Sequence, residues 1–323
     1  MSETRKLPAR WQVVAAFAAI YLIWGSTYLA IRVSIETIPP FLMAGVRFLI
    51  AGGILYGWAR LTGAASPSRP YWRSAAILGA LLLFAGNGGV TWAEQMLPSS
   101  IAALLVAMVP LWVVLLDWLR PGGVRPDVQV VAGVALGFVG IILLVRPWEL
   151  SNGDISLVGA AGILVASLMW AAGSLYSRGA QRPPSLLLFT GMQMLVGGVL
   201  LGVMGTLTGE WARLDVSAIS LRSLGALVYL IVFGAIIAYT AYVWLLKVAP
   251  AARVATYAYV NPAVAIFLGW ALGDEPLTPN TLLAAAIIIA AVVIITTFRA
   301  RQHKPSPSRH RPIPEGSTST TRI

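Results

Sequence analysis

Aromatic and hydroxyl side chains recur on one face of two apolar stretches, where they could contact a small organic molecule. Trp24, Tyr28 and Arg32 are spaced i, i+4 and i+8, so a helix places them on one face. Trp170 and Ser174, followed by Arg178, take up the matching positions 146 residues further on. A repeated face of this kind indicates a duplicated unit with a shared interior, and we expect the functional site to lie in that interior.

Arg47 is the charged side chain that is most costly to bury, because it lies about eight residues into an apolar stretch. A central Arg in a membrane span costs about +2.5–3.5 kcal/mol, so its guanidinium should face protein or water and have a partner. One interpretation is that Arg47 binds a substrate carboxylate, or acts as a gate by pairing with Glu94. The alternatives are a fixed ion pair that positions helices, or a side chain that extends to the membrane surface.

Two stretches that should interrupt helices each contain an asparagine. Asn87 lies within Gly86-Asn87-Gly88-Gly89, and Asn261 precedes Pro262, which leaves the carbonyl of Ala258 without its helical donor. Breaks at membrane depth are tolerated where they line a cavity or contact protein, so both asparagines are candidates for a binding site. The alternative is a hydrogen bond between helices at a kink.

Aromatic side chains add a less specific indication of a binding pocket. Tyr257 shares a helix face with Asn261, and Tyr239 forms a similar pair with Tyr242. Aromatic walls with a few polar groups are typical of small-molecule pockets. The tryptophans have an equally simple alternative, since their small neighbours, such as Gly25 and Gly173, would let helices pack closely.

The composition is that of a membrane protein, and it disfavours enzymes. Hydrophobic residues make up 58% of the 323 residues and charged residues 11%, whereas a soluble domain carries about 25% charged residues. The chain has no cysteine, and both histidines, His303 and His310, lie in the polar C-terminal tail. We therefore expect no disulfide, metal or cofactor, and no catalytic group of residues within the spans. The net charge of +11 would suggest nucleic acid in a soluble protein, but here the basic residues lie between apolar stretches and in the tail, which is typical of membrane topology.

Ten apolar stretches are long enough to cross a bilayer, for which a helix needs about 20 residues. They must be helical, because backbone groups in lipid have to be satisfied within the segment. The predicted spans are 11–31, 40–59, 72–93, 98–118, 128–145, 157–177, 186–208, 223–246, 251–272 and 280–298. Residues 299–323 lack periodicity and are predicted to form a disordered basic tail.

Basic residues predict the orientation of the spans in the membrane. With residues 1–10 in the cytoplasm, 18 basic residues lie on the inner side and four on the outer side. This asymmetry places both termini in the cytoplasm of a multi-pass protein of the bacterial inner membrane. No removable signal peptide is expected, because a full-length span follows the charged N-terminus without a cleavage site. The charges at span ends are expected to be solvated; they are Glu94, Asp117, Arg120, Lys247, Asp274 and Glu275.

Internal matches extend along the whole membrane part. Gly45 and Gly52 match Gly191 and Gly198 at an offset of 146, and Pro110 matches Pro262 at an offset of 152. Each unit therefore holds five spans, residues 11–150 in the first and 151–298 in the second. An odd number of spans makes the second unit enter the membrane from the opposite side, so the fold class is an all-α membrane protein of ten transmembrane helices in two inverted five-helix repeats. Such repeats are typical of secondary transporters with a substrate site between the halves.

Several of these motifs resemble those of a known family. Trp24-Gly-Ser-Thr-Tyr28, Met43-Ala-Gly-Val-Arg47, Gly86-Asn-Gly-Gly89 and Tyr257-Ala-Tyr-Val-Asn-Pro262 are similar to motifs of the EamA family in the drug/metabolite transporter superfamily, and in particular to the YedA-type inner-membrane permeases. The resemblance covers residues 11–298. It implies a permease that exports small organic solutes by alternating access, and its relatives include exporters of amino acids, other metabolites and drugs.

We therefore expect a transporter whose partners are a small-molecule substrate and the lipid bilayer, coupled to a proton or counter-solute gradient, without a nucleic acid. Because Arg47 is the one charge deep in a span, a carboxylated metabolite such as an amino acid is the expected substrate. A multidrug exporter of lipophilic compounds and a passive channel or facilitator are the alternatives. The candidate substrate contacts are Trp24, Tyr28, Arg47, Asn87, Trp170, Ser174, Tyr239, Tyr257 and Asn261, with Glu94 and Arg32 as candidate gating or ion-pair residues.

Overall fold

The computed structural model describes residues 9–123, 125–145, 156–249, 254 and 256–302. Nine helices in this part are long and apolar enough to cross a membrane, and a tenth apolar helix, Tyr257–Leu272, is shorter. They are α1 (Arg10–Ser34), α2 (Pro40–Leu61), α3 (Arg69–Ala93), α4 (Ser99–Leu119), α5 (Val128–Val145), α6 (Leu157–Ser177), α7 (Leu186–Leu207), α8 (Leu221–Tyr242), α9 (Tyr257–Leu272) and α10 (Pro279–Phe298).

The predicted all-helical fold of ten transmembrane helices is confirmed. Residues 250–253 and 255, at the predicted start of the ninth span, lie outside the described residues. So do residues 1–8 of the predicted cytoplasmic N-terminus and residues 303–323 of the predicted tail.

The two repeats are related by contacts between equivalent helices. α2 packs along α7 and α5 packs along α10. A Cβ added at Gly52 would lie 3.0 Å from the carbonyl oxygen of Gly191, and a Cβ at Gly191 would lie 3.0 Å from that of Gly52. Gly45 and Gly198 approach each other in the same reciprocal way. Because the sequence pairs Gly45 with Gly191 and Gly52 with Gly198, these crossed contacts are those of a two-fold relation between inverted repeats.

Three helices contain π-helical turns, which widen the helix and free backbone carbonyls for other partners. These turns span Gly79–Gly88 in α3 and Leu230–Ile237 in α8, at corresponding positions of the two repeats, and Ala19–Ile23 in α1. The turn in α3 includes Gly86, Asn87 and Gly88, where the sequence predicts a break, but the helix continues through it to Ala93. The glycine-poor turns of α8 and α1 were not predicted, because their sequences read as ordinary apolar helix.

Two buried glutamates fix loops of the second repeat to helix starts of the first. Glu210, just after α7, accepts hydrogen bonds from the backbone N–H groups of Phe41 (3.2 Å) and Leu42 (2.9 Å) in α2. Glu275, just after α9, accepts them from Ser99 (2.6 Å) and Ser100 (3.0 Å) in α4. A carboxylate is well placed there, because the first N–H groups of a helix have no partner within the helix.

We call the side of the bundle that carries Glu210 and Glu275 the Glu275 face. The loop between α7 and α8 on this face is ordered by Asp215, which accepts hydrogen bonds from the Ser217 hydroxyl (2.6 Å) and backbone N–H (2.9 Å). These hydrogen bonds favour the ionised form and lower the pKa of the exposed Asp215 carboxyl.

The prediction of solvated charges at span ends is wrong for three residues. Glu94, Asp117 and Glu275 are at most 5% exposed. Asp117 pairs with Arg120 at 2.6 Å on the face opposite the Glu275 face, and the Glu275 carboxylate is held by helix α4. Asp274 and Arg120 are exposed as predicted, and the side chain of Lys247 lies outside the described part.

Candidate functional site

Arg47 points into the protein from α2 and is only 5% exposed. Its Nη1 lies 3.5 Å from Oδ1 of Asn87 on α3, at the upper limit for a hydrogen bond, and its Nε has no hydrogen-bond partner among the described residues. The guanidinium carbon lies 4.9 Å from the centre of the Phe48 ring. Arg47 therefore does not extend to the membrane surface, and part of its hydrogen-bonding capacity is unused.

Gly234 in the π-helical part of α8 makes room for Arg47. A Cβ added at Gly234 would lie 3.3 Å from Nη2 of Arg47 and 3.2 Å from Cγ2 of Thr27 on α1. α1, α2, α3 and α8 thus all reach the guanidinium or its immediate neighbours.

The predicted pairing of Arg47 with Glu94 is not found among the described residues. Glu94, at the end of α3, is 1% exposed, and in the described part of the chain neither of its carboxylate oxygens has a hydrogen-bond partner. Arg47 is nevertheless within electrostatic range of Glu94. Both side chains are buried, and within the described residues they form no direct ion pair.

Arg32, the other candidate gating residue, has different partners. Its Nη1 donates to the carbonyl oxygen of Leu97 (2.7 Å), and its Nε lies 3.9 Å from Oε1 of Glu275. Arg32 thereby links the end of α1 to the loop before α4 and to Glu275, on the Glu275 face.

Tyr28 on α1 extends this buried polar group on the side of Glu94. Its hydroxyl is within electrostatic range of Glu94 and of Tyr257 on α9. We call Tyr28, Arg47, Asn87 and Glu94 the Arg47 cluster. It combines a cation, a carboxylate, an amide and a phenol on α1, α2 and α3 of the first repeat.

An aromatic group lies beside this cluster, at the contact of α1, α8 and α9. The Trp24 ring centre is 5.2 Å from that of Tyr242 and 5.1 Å from that of Tyr257. Tyr239 follows at 6.0 Å from Tyr242. The Trp24 indole N–H donates to the carbonyl oxygen of Gly234 (3.2 Å). We call Trp24, Tyr239, Tyr242 and Tyr257 the aromatic cluster.

The structure places the other candidates in helix packing. Trp170 on α6 packs on Gly86, with its Cε3 3.0 Å from where a Cβ would be, and the Ser174 hydroxyl donates to the Trp170 carbonyl oxygen (2.8 Å). With its amide oriented so that the nitrogen faces the neighbouring carbonyl oxygens, Asn261 donates to those of Tyr21 (3.3 Å) and Tyr257 (3.2 Å) and joins α1 to α9 beside Pro262. None of these three side chains forms a hydrogen bond or ring contact with Arg47 among the described residues.

Gly234, Tyr242 and Glu275 belong to the site's surroundings but are not among the predicted site residues. Gly234 could have been found, because it corresponds in the repeat to the glycine-rich stretch around Gly86. Glu275 reads in the sequence as one of many loop charges, and only the fold brings it to the start of α4. Within the described residues, no group of three or more metal-binding side chains comes together.

Comparison with known proteins points to membrane transport. The model of the EamA-like transporter family matches residues 11–146 and 157–297. The chain is 41% identical over 271 residues to the inner membrane transporter YedA of Escherichia coli (strain K12), covering 83% of this chain and 85% of that protein.

Proteins of lower sequence identity also match most of the chain. Protein PecM of Dickeya dadantii is 28% identical over 263 residues, 81% of this chain and 84% of that protein. The transporter YoaV of Bacillus subtilis is 22% identical over 280 residues, 85% of this chain and 93% of that protein. A solved crystal structure matches with a TM-score of 0.63 and 21% identity, covering 92% of this chain and all of that one, which shows a common fold.

Proposed function

The chain belongs to the EamA-like transporter family, and we propose that it exports small carboxylated organic metabolites, amino acids among them, across the inner membrane. Arg47 is the observation that carries this proposal. It is a buried cation whose Nε donor is unused and whose one hydrogen bond, to Asn87, is long, as far as the described residues show. A carboxylate would supply the missing partner, and a guanidinium can bind both of its oxygens at once.

The aromatic cluster suits the apolar part of such a substrate. Trp24 is anchored through Gly234 to the same turn of α8 that makes room for Arg47, so an apolar group and a carboxylate could be bound side by side. Aromatic walls with a few polar groups are the usual composition of pockets for small organic molecules.

We propose an alternating-access mechanism, in which the two inverted repeats rock against each other about α2 and α7. The Glu275 face would be the outer face, as the basic residues indicate, with both termini in the cytoplasm. The hydrogen bonds of Glu210 and Glu275 join the second repeat to the first and support a closed outer face. Export would be driven by a gradient of protons or of a counter-solute.

A multidrug exporter is the second candidate, and the aromatic cluster is what favours it. Lipophilic cations bind to aromatic faces, and three ring contacts of 5.1 to 6.0 Å lie together around Trp24 and Tyr242. A buried Arg in the site would oppose a cationic drug, so the first proposal accounts for more of the residues.

A metabolite screen with a matched variant tests the proposal. Cells that overproduce the protein or Arg47→Ala are compared for released carboxylated metabolites and for export of a quaternary ammonium dye. Release of carboxylates that Arg47→Ala abolishes supports the proposal. Dye export without carboxylate release, unchanged in Arg47→Ala, supports the multidrug alternative. Flux that never saturates in reconstituted vesicles would indicate a passive channel.

A further inference from the structure

The Glu94 carboxylate is the least satisfied buried group near Arg47. It is 1% exposed, and both of its oxygens lack a hydrogen-bond partner within residues 9–302 as far as the structure describes them. A buried carboxylate without partners is strongly destabilising, so such a group at a binding site indicates a partner that arrives from outside. The groups around Glu94 indicate the chemistry of that partner.

Among the described residues, the charged side chains near Glu94 have other hydrogen-bond partners. Arg32 donates to Leu97 and lies 3.9 Å from Glu275, and Arg47 approaches Asn87. Glu275 is occupied by the two N–H groups at the start of α4. Among the described residues, none of these three side chains forms a hydrogen bond with the Glu94 oxygens.

The position of Glu94 relative to Arg47 restricts the kind of ligand that could bind between them. Asn87 and Glu94 are seven residues apart on α3, so they lie on one face of the helix about two turns apart. Arg47 approaches this face from α2 at the level of Asn87. A ligand between Arg47 and Glu94 would therefore meet a cation on one side and an anion on the other.

We propose that Glu94 receives the ammonium group of the substrate while Arg47 receives its carboxylate, so that the site selects amino acids over carboxylates without an amine. An ammonium group can donate hydrogen bonds to both Glu94 oxygens, whereas a carboxylate without an amine brings no donor to them. The inference rests on the proposed function, because it requires a carboxylate at Arg47.

Reconstituted protein can test this with two matched pools of compounds. Vesicles containing the wild-type protein, Glu94→Gln or Glu94→Asp are loaded with the standard amino acids, or with the acids that lack only the amino group. Efflux is followed by mass spectrometry. The wild type should prefer amino acids, Glu94→Gln should lose this preference by roughly tenfold or more, and Glu94→Asp should keep part of it.

Controls separate the failure of this inference from that of the proposed function. Glu36→Gln removes an exposed carboxylate on the same face and should leave the preference unchanged. Gel filtration of each purified variant identifies variants that fail to fold. Equal efflux of both pools by the wild type and by Glu94→Gln overturns the role of Glu94 but leaves carboxylate transport intact. Efflux of neither pool, with dye efflux retained, overturns the proposed function itself.

Discussion

Trp24 and Gly234 form a contact between the repeats that recurs in inverted form. The Trp24 indole N–H on α1 donates to the Gly234 carbonyl oxygen in the π-helical part of α8 (3.2 Å). In the other repeat, Trp170 on α6 packs on Gly86 in the π-helical part of α3. The two tryptophans thus meet the same kind of turn in the opposite repeat, and Gly234, the partner of Trp24, lies next to the Arg47 guanidinium.

Gly234→Ala should lower transport by moving Arg47. The added methyl would lie 3.3 Å from Nη2 of Arg47 and 3.2 Å from Thr27, so one of these side chains must shift. Initial rates in vesicles, normalised to the amount of protein, measure the effect. Gly225→Ala on the same helix is the control, because a Cβ there meets nothing within 4 Å. Equal rates for both variants would mean that the position of Arg47 does not limit transport.

Gly191→Ala should destabilise the contact between the repeats. Its Cβ would lie 2.7 Å from the backbone nitrogen of Tyr56, which cannot move without shifting α2. Overpacking of this kind costs about 1–3 kcal/mol, so the thermal midpoint in detergent should fall. Gly57→Ala has open space around its Cβ and should leave the midpoint unchanged. An unchanged midpoint for Gly191→Ala would argue against the close crossing of α2 and α7.

Glu275→Gln should remove one of the two hydrogen bonds that Glu275 accepts from the start of α4. The Ser99 and Ser100 N–H groups each use one carboxylate oxygen, and a Gln amide offers only one oxygen. Leaving a buried N–H unsatisfied costs about 1–3 kcal/mol, so thermal stability should fall. Asp274→Asn is the matched control, since Asp274 is exposed and has a positive φ of 52° that Asn also tolerates. Equal stabilities would indicate that the Glu275 contact contributes nothing to the resting fold.

Much of the fold was predictable because its signals are local, whereas the site depends on contacts between distant helices. Apolar stretches predict the spans, and matched glycines such as Gly52 and Gly198 predict the repeats. The sequence also identifies Arg47 as a buried charge, because no other charge lies so deep in a span. It does not reveal that Arg32 pairs with Glu275 rather than Glu94, since that choice depends on how α1, α4 and α9 pack together.

The orientation of the chain follows from the basic residues and can be measured by labelling. The sequence contains no cysteine, so single cysteines can be introduced without background. Asp274→Cys should react with an impermeant maleimide in intact cells, and Ser66→Cys should react only after the cells are opened. Both positions are exposed. The reverse pattern would mean that the Glu275 face is cytoplasmic and that both termini are outside.

The binding of a substrate carboxylate by Arg47 is tested most directly by comparing acids with their amides. Vesicles are loaded with the standard amino acids together with their primary carboxamides, and efflux of both sets is measured for the wild type, Arg47→Ala and Arg47→Lys. We predict that the wild type prefers the acids and that Arg47→Ala loses this preference by roughly tenfold or more. Arg47→Lys should restore only part of it, because Lys lacks the planar guanidinium. Equal efflux of acids and amides, unchanged by Arg47→Ala, would contradict the account.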